Sequence, residues 1–245
     1  MKNYRLTIKY DGTRYYGWQR QPERSTVQGK LEEVLSRLCG AQTEVIGAGR
    51  TDAGVHAEAM TANAEFDTEM SVKEIRDYMN RYLPDDIAVT EVSEASPRFH
   101  ARYNAVGKTY RYTVFTGEIK PVFGKRYMTV IDGKPDVGIM REAAALLLGE
   151  HDFRNFCVNP KMKKSTVREI YAIDIKQKGD IITFTFSGNG FLQNMVRIMV
   201  GALLEAGCGR LERSDILRAL ESEERVKAGP TAPPQGLCLV KVDYF

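Results

Sequence analysis

The chain has 245 residues, of which 43% are hydrophobic and 27% charged, and its formal net charge is +3. These are ordinary globular values, so one large core or two smaller ones can be buried. No run approaches 18 apolar residues, so no membrane span is expected. The small positive charge permits nucleic-acid binding without demanding it.

Asn3 to Tyr10 alternates Tyr4, Leu6, Ile8 and Tyr10 with polar residues, which predicts a strand. Asp11-Gly12-Thr13 breaks it, and an irregular arm runs through Gly17-Trp18-Gln19-Arg20. A helix is expected from Ser25 or Thr26, with Val27, Leu31, Val34, Leu35 and Leu38 on one face and Gly40 as its stop. Thr43 to Ala48 reads as a second strand, and a third runs to Phe66. Ser71 to Glu74 is a capping box that opens a second helix, which ends before Pro84. Asp86 to Val92 is a fourth strand. The order β-α-β-β-α-β is that of a split βαβ unit.

The second half repeats nearly the same order. Lys108 to Phe115 is a strand, and Asp136 caps a helix that runs to Gly149. Val167 to Lys176 and Ile181 to Ser187 form a hairpin about Lys178-Gly179-Asp180. A helix is expected from about Phe191 to Ala206, a short one near Ser214 to Leu220, and a last strand from Leu237 to Val242. The predicted fold class is α+β. Two ferredoxin-like βαββαβ halves, residues 1–104 and 105–245, form a largely antiparallel sheet with helices on one face and a central cleft.

Cys39, Cys157, Cys208 and Cys238 form no CxxC pair, so neither a disulfide framework nor a zinc site is indicated. The opening Met1 to Leu6 alternates like a strand and lacks the apolar run of a signal peptide. A reducing, cytoplasmic location is expected.

The most conspicuous stretch is Gly47-Ala48-Gly49-Arg50-Thr51-Asp52-Ala53-Gly54-Val55-His56. Its glycines allow close backbone approach to a ligand, and its acid, cation and imidazole lie close together. The spacing fits neither a dinucleotide fingerprint nor a P-loop. Asp52 has two readings: a turn former bonded to its own backbone, or a nucleophilic or general-base carboxylate.

Met195 to Leu204 is apolar all round except for Arg197, which marks a buried helix with one cation. A buried guanidinium requires a carboxylate or phosphate. Asp52, Glu205 and Asp152 are all candidates, and the side chain can also reach the surface. Tyr110 and Tyr112 share one strand face, either as core aromatics or as a platform for a base. Basic residues interleave with aromatics around Arg98, Arg102, Lys108 and Arg111, and a further group holds Lys161, Lys163, Lys164 and Arg168. That mixture suits a polyanion with stackable bases, or simply a solvated surface. His56, His100 and His151 have no metal-binding spacing. His151 reads as a helix-end or loop residue.

Gly49-Arg50-Thr51-Asp52-Ala53-Gly54-Val55-His56-Ala57 resembles the signature of the A family of tRNA pseudouridine synthases. Tyr10-Asp11-Gly12-Thr13, Gly17-Trp18-Gln19, Thr26-Val27-Gln28-Gly29, Phe99-His100-Ala101-Arg102, Lys108-Thr109-Tyr110-Arg111-Tyr112, His151-Asp152-Phe153, Phe191-Leu192 with Met195-Val196-Arg197, and Ala232-Pro233 with Gly236-Leu237 resemble its other blocks. Gln193-Asn194 departs from the Tyr or His often found there. The resemblance implies isomerisation of uridine to pseudouridine in the anticodon stem-loop of tRNA, at tRNA positions 38, 39 and 40. It implies no cofactor, no metal and a homodimer. It makes Asp52 the nucleophile, Tyr110 the base-stacking residue and Arg197 the partner of the aspartate. Arg50 is then placed to engage the RNA or help extrude the base. His56, Arg102, Lys108, Lys163 and Lys164 are further expected substrate contacts. A non-catalytic RNA-binding protein and an Asp-dependent N-glycoside hydrolase are the competing functions.

Overall fold

The computed structural model describes residues 1–159, 165–224 and 226–245. Its elements are β1 (Lys2–Tyr10), α1 (Val27–Cys39), β2 (Ile46–Gly47), β3 (His56–Phe66), α2 (Val72–Tyr82), β4 (Ile87–Ala95) and β5 (Ala105–Phe115). There follow β6 (Thr129–Val130), α3 (Val137–Ala145), β7 (Gly149–Asp152), β8 (Val167–Lys178), β9 (Ile181–Gly188), α4 (Met195–Gly207), α5 (Arg213–Glu221) and β10 (Leu237–Tyr244). The protein is of the α+β class. It divides into two compact units, Met1–Val106 with Cys238–Phe245, and Gly107–Leu237.

In the first unit β1 lies between β4 and β3, antiparallel to both, with Leu6 opposite Ala62 and Val92. The alternation of β1 buries Tyr4, Leu6, Ile8 and Tyr10. Thr26 caps α1 by accepting the Gly29 N–H, and Gly40 ends that helix at φ 67°. The stripe Val27, Leu31, Val34 and Leu35 is buried. On α2, Ser71 and Glu74 form the expected capping box, and Ile75 and Met79 are buried.

Two strands of the first unit differ from the sequence expectation. Thr43–Ala48 gives only the two-residue β2, pairing Ile46 with Asn63 and Gly47 with Ala62. Side chains of α1 take the backbone donors just upstream. Ser36 Oγ accepts the Thr43 N–H at 2.9 Å and Glu32 Oε1 accepts the Val45 N–H at 3.2 Å. β10, placed by the sequence division in residues 105–245, belongs to the first unit. It runs parallel to β3, with Cys238 opposite His56 and Leu239 opposite Ala57.

In the second unit the sheet order is β5-β9-β8-β7, with β6 parallel to β5. Tyr110, Tyr112 and Val114 of β5 and Ile182, Phe184 and Phe186 of β9 are buried. The β8–β9 hairpin turns at Gly179, where φ is 58°. The helix expected to reach Gly149 stops at Ala145. Gly149–Asp152 instead pairs with β8, and His151 lies opposite Arg168 as a strand residue. α4 begins at Met195 rather than near Phe191, because Asn194 sits at φ 60°, outside helical geometry. Ten of its residues, from Met195 to Ala206, are buried, as an all-apolar helix requires.

Candidate active site

The glycine-rich loop connects β2 to β3, and the arm that follows β1 holds it. Trp18, 2% exposed, donates its backbone N–H to the Thr51 carbonyl at 3.1 Å. Its indole lies against Gly47, where an added Cβ would sit 2.5 Å from Cε2. Tyr10 OH and Thr51 Oγ1 are 2.8 Å apart and buried. The Gly54 N–H reaches the Tyr15 carbonyl at 3.3 Å, and the Val55 N–H closes a turn on the Asp52 carbonyl at 3.1 Å.

Two arm glycines permit this proximity. A Cβ on Gly12 would overlap the Val55 carbonyl. Gly17 has φ 88°, and a Cβ there would lie 2.5 Å from the Thr51 carbonyl oxygen. The arm is itself tied to the start of β4. Asp11 N–H reaches the Asp86 carbonyl at 2.9 Å, Tyr15 OH donates to Asp86 Oδ1 and Arg14 Nε donates to Oδ2 at 2.8 Å. Burial pushes the Tyr15 hydroxyl well above the usual phenol range, and the bond to Asp86 adds to this, so it remains a donor.

Asp52 is half-buried on this held loop, and Arg50 is exposed. His56, by contrast, is only 4% exposed. Its Nδ1 accepts the Gly12 N–H at 3.0 Å. Asp11 Oδ1 is 3.2 Å from the same nitrogen, but one nitrogen cannot accept the amide proton and donate to the carboxylate at once. The well-placed Gly12 amide makes Nδ1 an acceptor. The ring therefore helps to seat the arm on the loop. Arg102 is exposed in the segment after β4, where its backbone N–H meets His100 Nδ1 at 3.2 Å.

The remaining described candidates lie in the second unit. Tyr110 on β5 is 8% exposed and opposite Phe186. The Phe191 ring meets it edge-on, with centroids 5.2 Å apart. Lys108, two residues earlier on β5, is half-buried. Tyr112 has a different task from Tyr110. Its hydroxyl donates to the Pro233 carbonyl at 2.8 Å and meets Thr129 Oγ1 at 2.6 Å, and burial pushes its pKa up to about 12. Lys163 and Lys164 lie outside the described residues.

Arg197 is half-buried on α4. Its Nε donates to the Ala232 carbonyl at 2.6 Å and its Nη1 to Asn194 Oδ1 at 2.7 Å. Two rival acids for Arg197 are engaged elsewhere. Glu205 takes two bonds from Arg210, at 2.7 and 2.8 Å, and Asp152 takes bonds from Arg154 at 2.6 and 2.9 Å. Asp52, Arg50, His56 and Arg102 thus belong to the first unit, and Tyr110, Lys108 and Arg197 to the second.

No role for Tyr10, Trp18 or Asn194 is legible in the sequence. The first two lie in motif blocks that are visible in the sequence, but only coordinates reveal what they touch. Among the described residues no group of three or more His, Cys, Asp or Glu is arranged to hold a metal ion. No helix among them is long and apolar enough to cross a membrane.

A sequence model described as tRNA pseudouridine synthase matches residues 6–104 and 143–245. A protein of Bacillus cereus named tRNA pseudouridine synthase A 2 is 44% identical over 245 residues, covering 100% of both chains. One of a Geobacter species named tRNA pseudouridine synthase A is also 44% identical, covering 100% of this chain and 99% of the relative. A chain of a solved archaeal box H/ACA ribonucleoprotein complex is 12% identical, with a TM-score of 0.36, covering 82% of this chain and 44% of its own. The family match spans both compact units and includes the Asp52 loop, β5's Tyr110 region excepted, and α4 with Arg197; the chain belongs to the tRNA pseudouridine synthase family.

Proposed function

We propose that the enzyme isomerises uridine to pseudouridine in the anticodon stem-loop of tRNA, at tRNA positions 38, 39 and 40, with Asp52 as the nucleophile. The observation that carries the site assignment is the seating of the Asp52 loop. Four contacts from the end of β1 and the arm after it, made by Tyr10, Gly12, Tyr15 and Trp18, fix a loop that leaves its carboxylate half-buried. A rigid scaffold presenting one acid suits chemistry that depends on placement.

The reaction conserves the elemental composition of the uridine. The C1′–N1 bond breaks, the detached uracil turns within the pocket, a C1′–C5 bond forms, the C5 proton leaves and N1 gains a proton. Asp52 either attacks C1′ or promotes elimination, and both routes return the carboxylate unchanged. The family resemblance makes Arg197 the partner of Asp52, a role in which an arginine keeps a carboxylate ionised. Tyr110 stacks on the base, and its hydroxyl takes part in removing the C5 proton. A target base in a paired stem must first be extruded, which costs a few kcal/mol. Arg50, Arg102 and Lys108, with Lys163 and Lys164, offset that cost by contacting phosphates. His56 contributes through its hold on Gly12. The family resemblance further supports a cytoplasmic homodimer that needs no cofactor.

The test uses tRNA carrying tritium at uridine C5. Wild type releases tritium and Asp52→Ala does not, while the mass of unlabelled RNA is unchanged by the wild type. Transcripts with cytidine at positions 38, 39 and 40 release none. Free uracil and an abasic site would instead identify a hydrolase, and binding without tritium release a non-catalytic RNA-binding protein. Full turnover by Asp52→Ala would remove Asp52 from the chemistry.

A further inference from the structure

The last residue before α4 holds an unusual backbone conformation. Asn194 has φ 60° and ψ 5°, and apart from Glu23 it is the only non-glycine at positive φ among the described residues. Asparagine tolerates this region better than most residues, but the conformation still carries strain. An asparagine at a helix N-terminus ordinarily uses its side-chain oxygen to cap the first free N–H groups. Asn194 makes no such cap. Its oxygen instead accepts from Arg197 Nη1 at 2.7 Å.

A second acceptor grips the same guanidinium. The Ala232 carbonyl accepts from Nε at 2.6 Å, and the Ala232 N–H donates back to the Arg197 carbonyl at 3.1 Å. The segment carrying Ala232 is held from both sides. A Cβ on Gly201 of α4 would overlap the Pro230 carbonyl, and one on Gly229 would lie 2.8 Å from the Ala202 nitrogen. Tyr112 OH donates to the Pro233 carbonyl at 2.8 Å. One acceptor is therefore built into a tightly packed segment, and the other is a side chain on a strained backbone. Held at Nε and Nη1, the guanidinium plane cannot turn without breaking a bond.

We infer that Asn194 is a positioning residue: together with the Ala232 carbonyl it sets the plane in which Arg197 presents its guanidinium to the reacting centre. This rests on the proposed catalytic role of Arg197.

Asn194→Gly tests the idea, because glycine accepts φ 60° and lacks only the acceptor. Expected are a fall in kcat of about 30- to 100-fold, the size a slightly misplaced group produces, and a KM for tRNA within about twofold of wild type. Proton exchange within the Arg197 guanidinium by rotation about Nε–Cζ, followed by side-chain NMR, is expected to speed up. Asn194→Asp retains an oxygen acceptor and is expected to keep the slow rotation of wild type. Wild-type kcat or unchanged rotation in Asn194→Gly overturns the proposal. Arg197→Lys is the companion measurement. If it turns over normally, the catalytic reading of Arg197 fails and this proposal with it. If it is inactive while Asn194→Gly is fully active, only the positioning role fails.

Discussion

Trp18 donates its backbone N–H to the Thr51 carbonyl at 3.1 Å, one residue before Asp52. The same residue lays its indole against Gly47, at the entrance to the loop. One side chain and its own amide therefore brace the loop at its entrance and beside Asp52. The placement of the carboxylate depends on an arm far from it in sequence, which makes the arm a sensitive place to perturb catalysis.

Gly17→Ala probes that dependence. The added methyl meets the Thr51 carbonyl at 2.5 Å and the Asp52 carbonyl carbon at 3.1 Å, at a φ of 88°. Backbone atoms on a packed loop have little room to give. The variant is expected to lose about 1–3 kcal/mol of stability and to slow tritium release about 100-fold. Gly40→Ala is the control. It has φ 67° but nothing within 4 Å of its added Cβ. It is expected to cost about 1 kcal/mol and leave kcat intact. Thermal melts and tritium release on both variants separate strain from loop displacement, and equal kcat values would show that the arm does not hold the loop.

The local parts of this structure are legible in the sequence. The alternation of β1, the Ser71–Glu74 box and the Gly40 stop each depend on neighbours within a few residues, so they read correctly. Non-local competition is not legible. The strand expected over Thr43–Ala48 shrinks because Ser36 and Glu32 capture its donors, and β10, last in the chain, groups with the first unit and runs parallel to β3. The site divides the same way. Asp52 and Arg197 stand out by type and setting, whereas Trp18 and Asn194 acquire roles only through what they touch.

Acid stability provides a second test. Burial alone pushes the Asp152 carboxyl up, but bonds from the Arg154 and Thr166 side chains and the Arg154 amide outweigh this and hold it below its ordinary 3.8. The folded group is the stronger acid, so between its folded and unfolded pKa values the unfolded chain binds more protons. Stability from this site is complete above the unfolded value and is lost as pH falls through the folded one. A pair this accessible contributes up to about 1 kcal/mol. Urea unfolding is expected to show wild type more stable than Asp152→Asn near neutrality, with the gap closing below about pH 4. A gap that widens on acidification contradicts the assignment.

Tyr110 offers two separable contributions, a ring and a hydroxyl. Tyr110→Phe keeps the ring that Phe191 meets edge-on and removes only the oxygen. If the hydroxyl serves in C5 proton removal, tRNA affinity stays within about twofold, while tritium release falls by about 100-fold or more. Tyr110→Ala is expected to weaken binding as well, by about 1–3 kcal/mol, because a stacked base loses its partner. Single-turnover tritium release beside filter-binding affinities gives both numbers. Wild-type release by Tyr110→Phe would confine the residue to stacking.

The buried contact between Tyr10 and Thr51 permits a closed thermodynamic test of the loop's seating. Their oxygens are 2.8 Å apart, and both residues are almost fully buried. Tyr10→Phe leaves the Thr51 hydroxyl without that partner, and Thr51→Val does the same to Tyr10. Each single change is expected to cost about 1–3 kcal/mol, because a buried polar group loses its bond. Thr51→Val nearly conserves shape, so the double variant removes both polar groups and leaves an apolar contact. It is expected to recover most of that stability, giving a coupling of about 1 kcal/mol or more in the double-mutant cycle. Activity is expected not to follow. The apolar contact restores packing but has no directional bond, so tritium release in the double variant stays below wild type even where its melting temperature returns. Recovery of both together would mean that Thr51 needs only packing to place Asp52, and additive stability losses would mean that the two hydroxyls do not act as a pair.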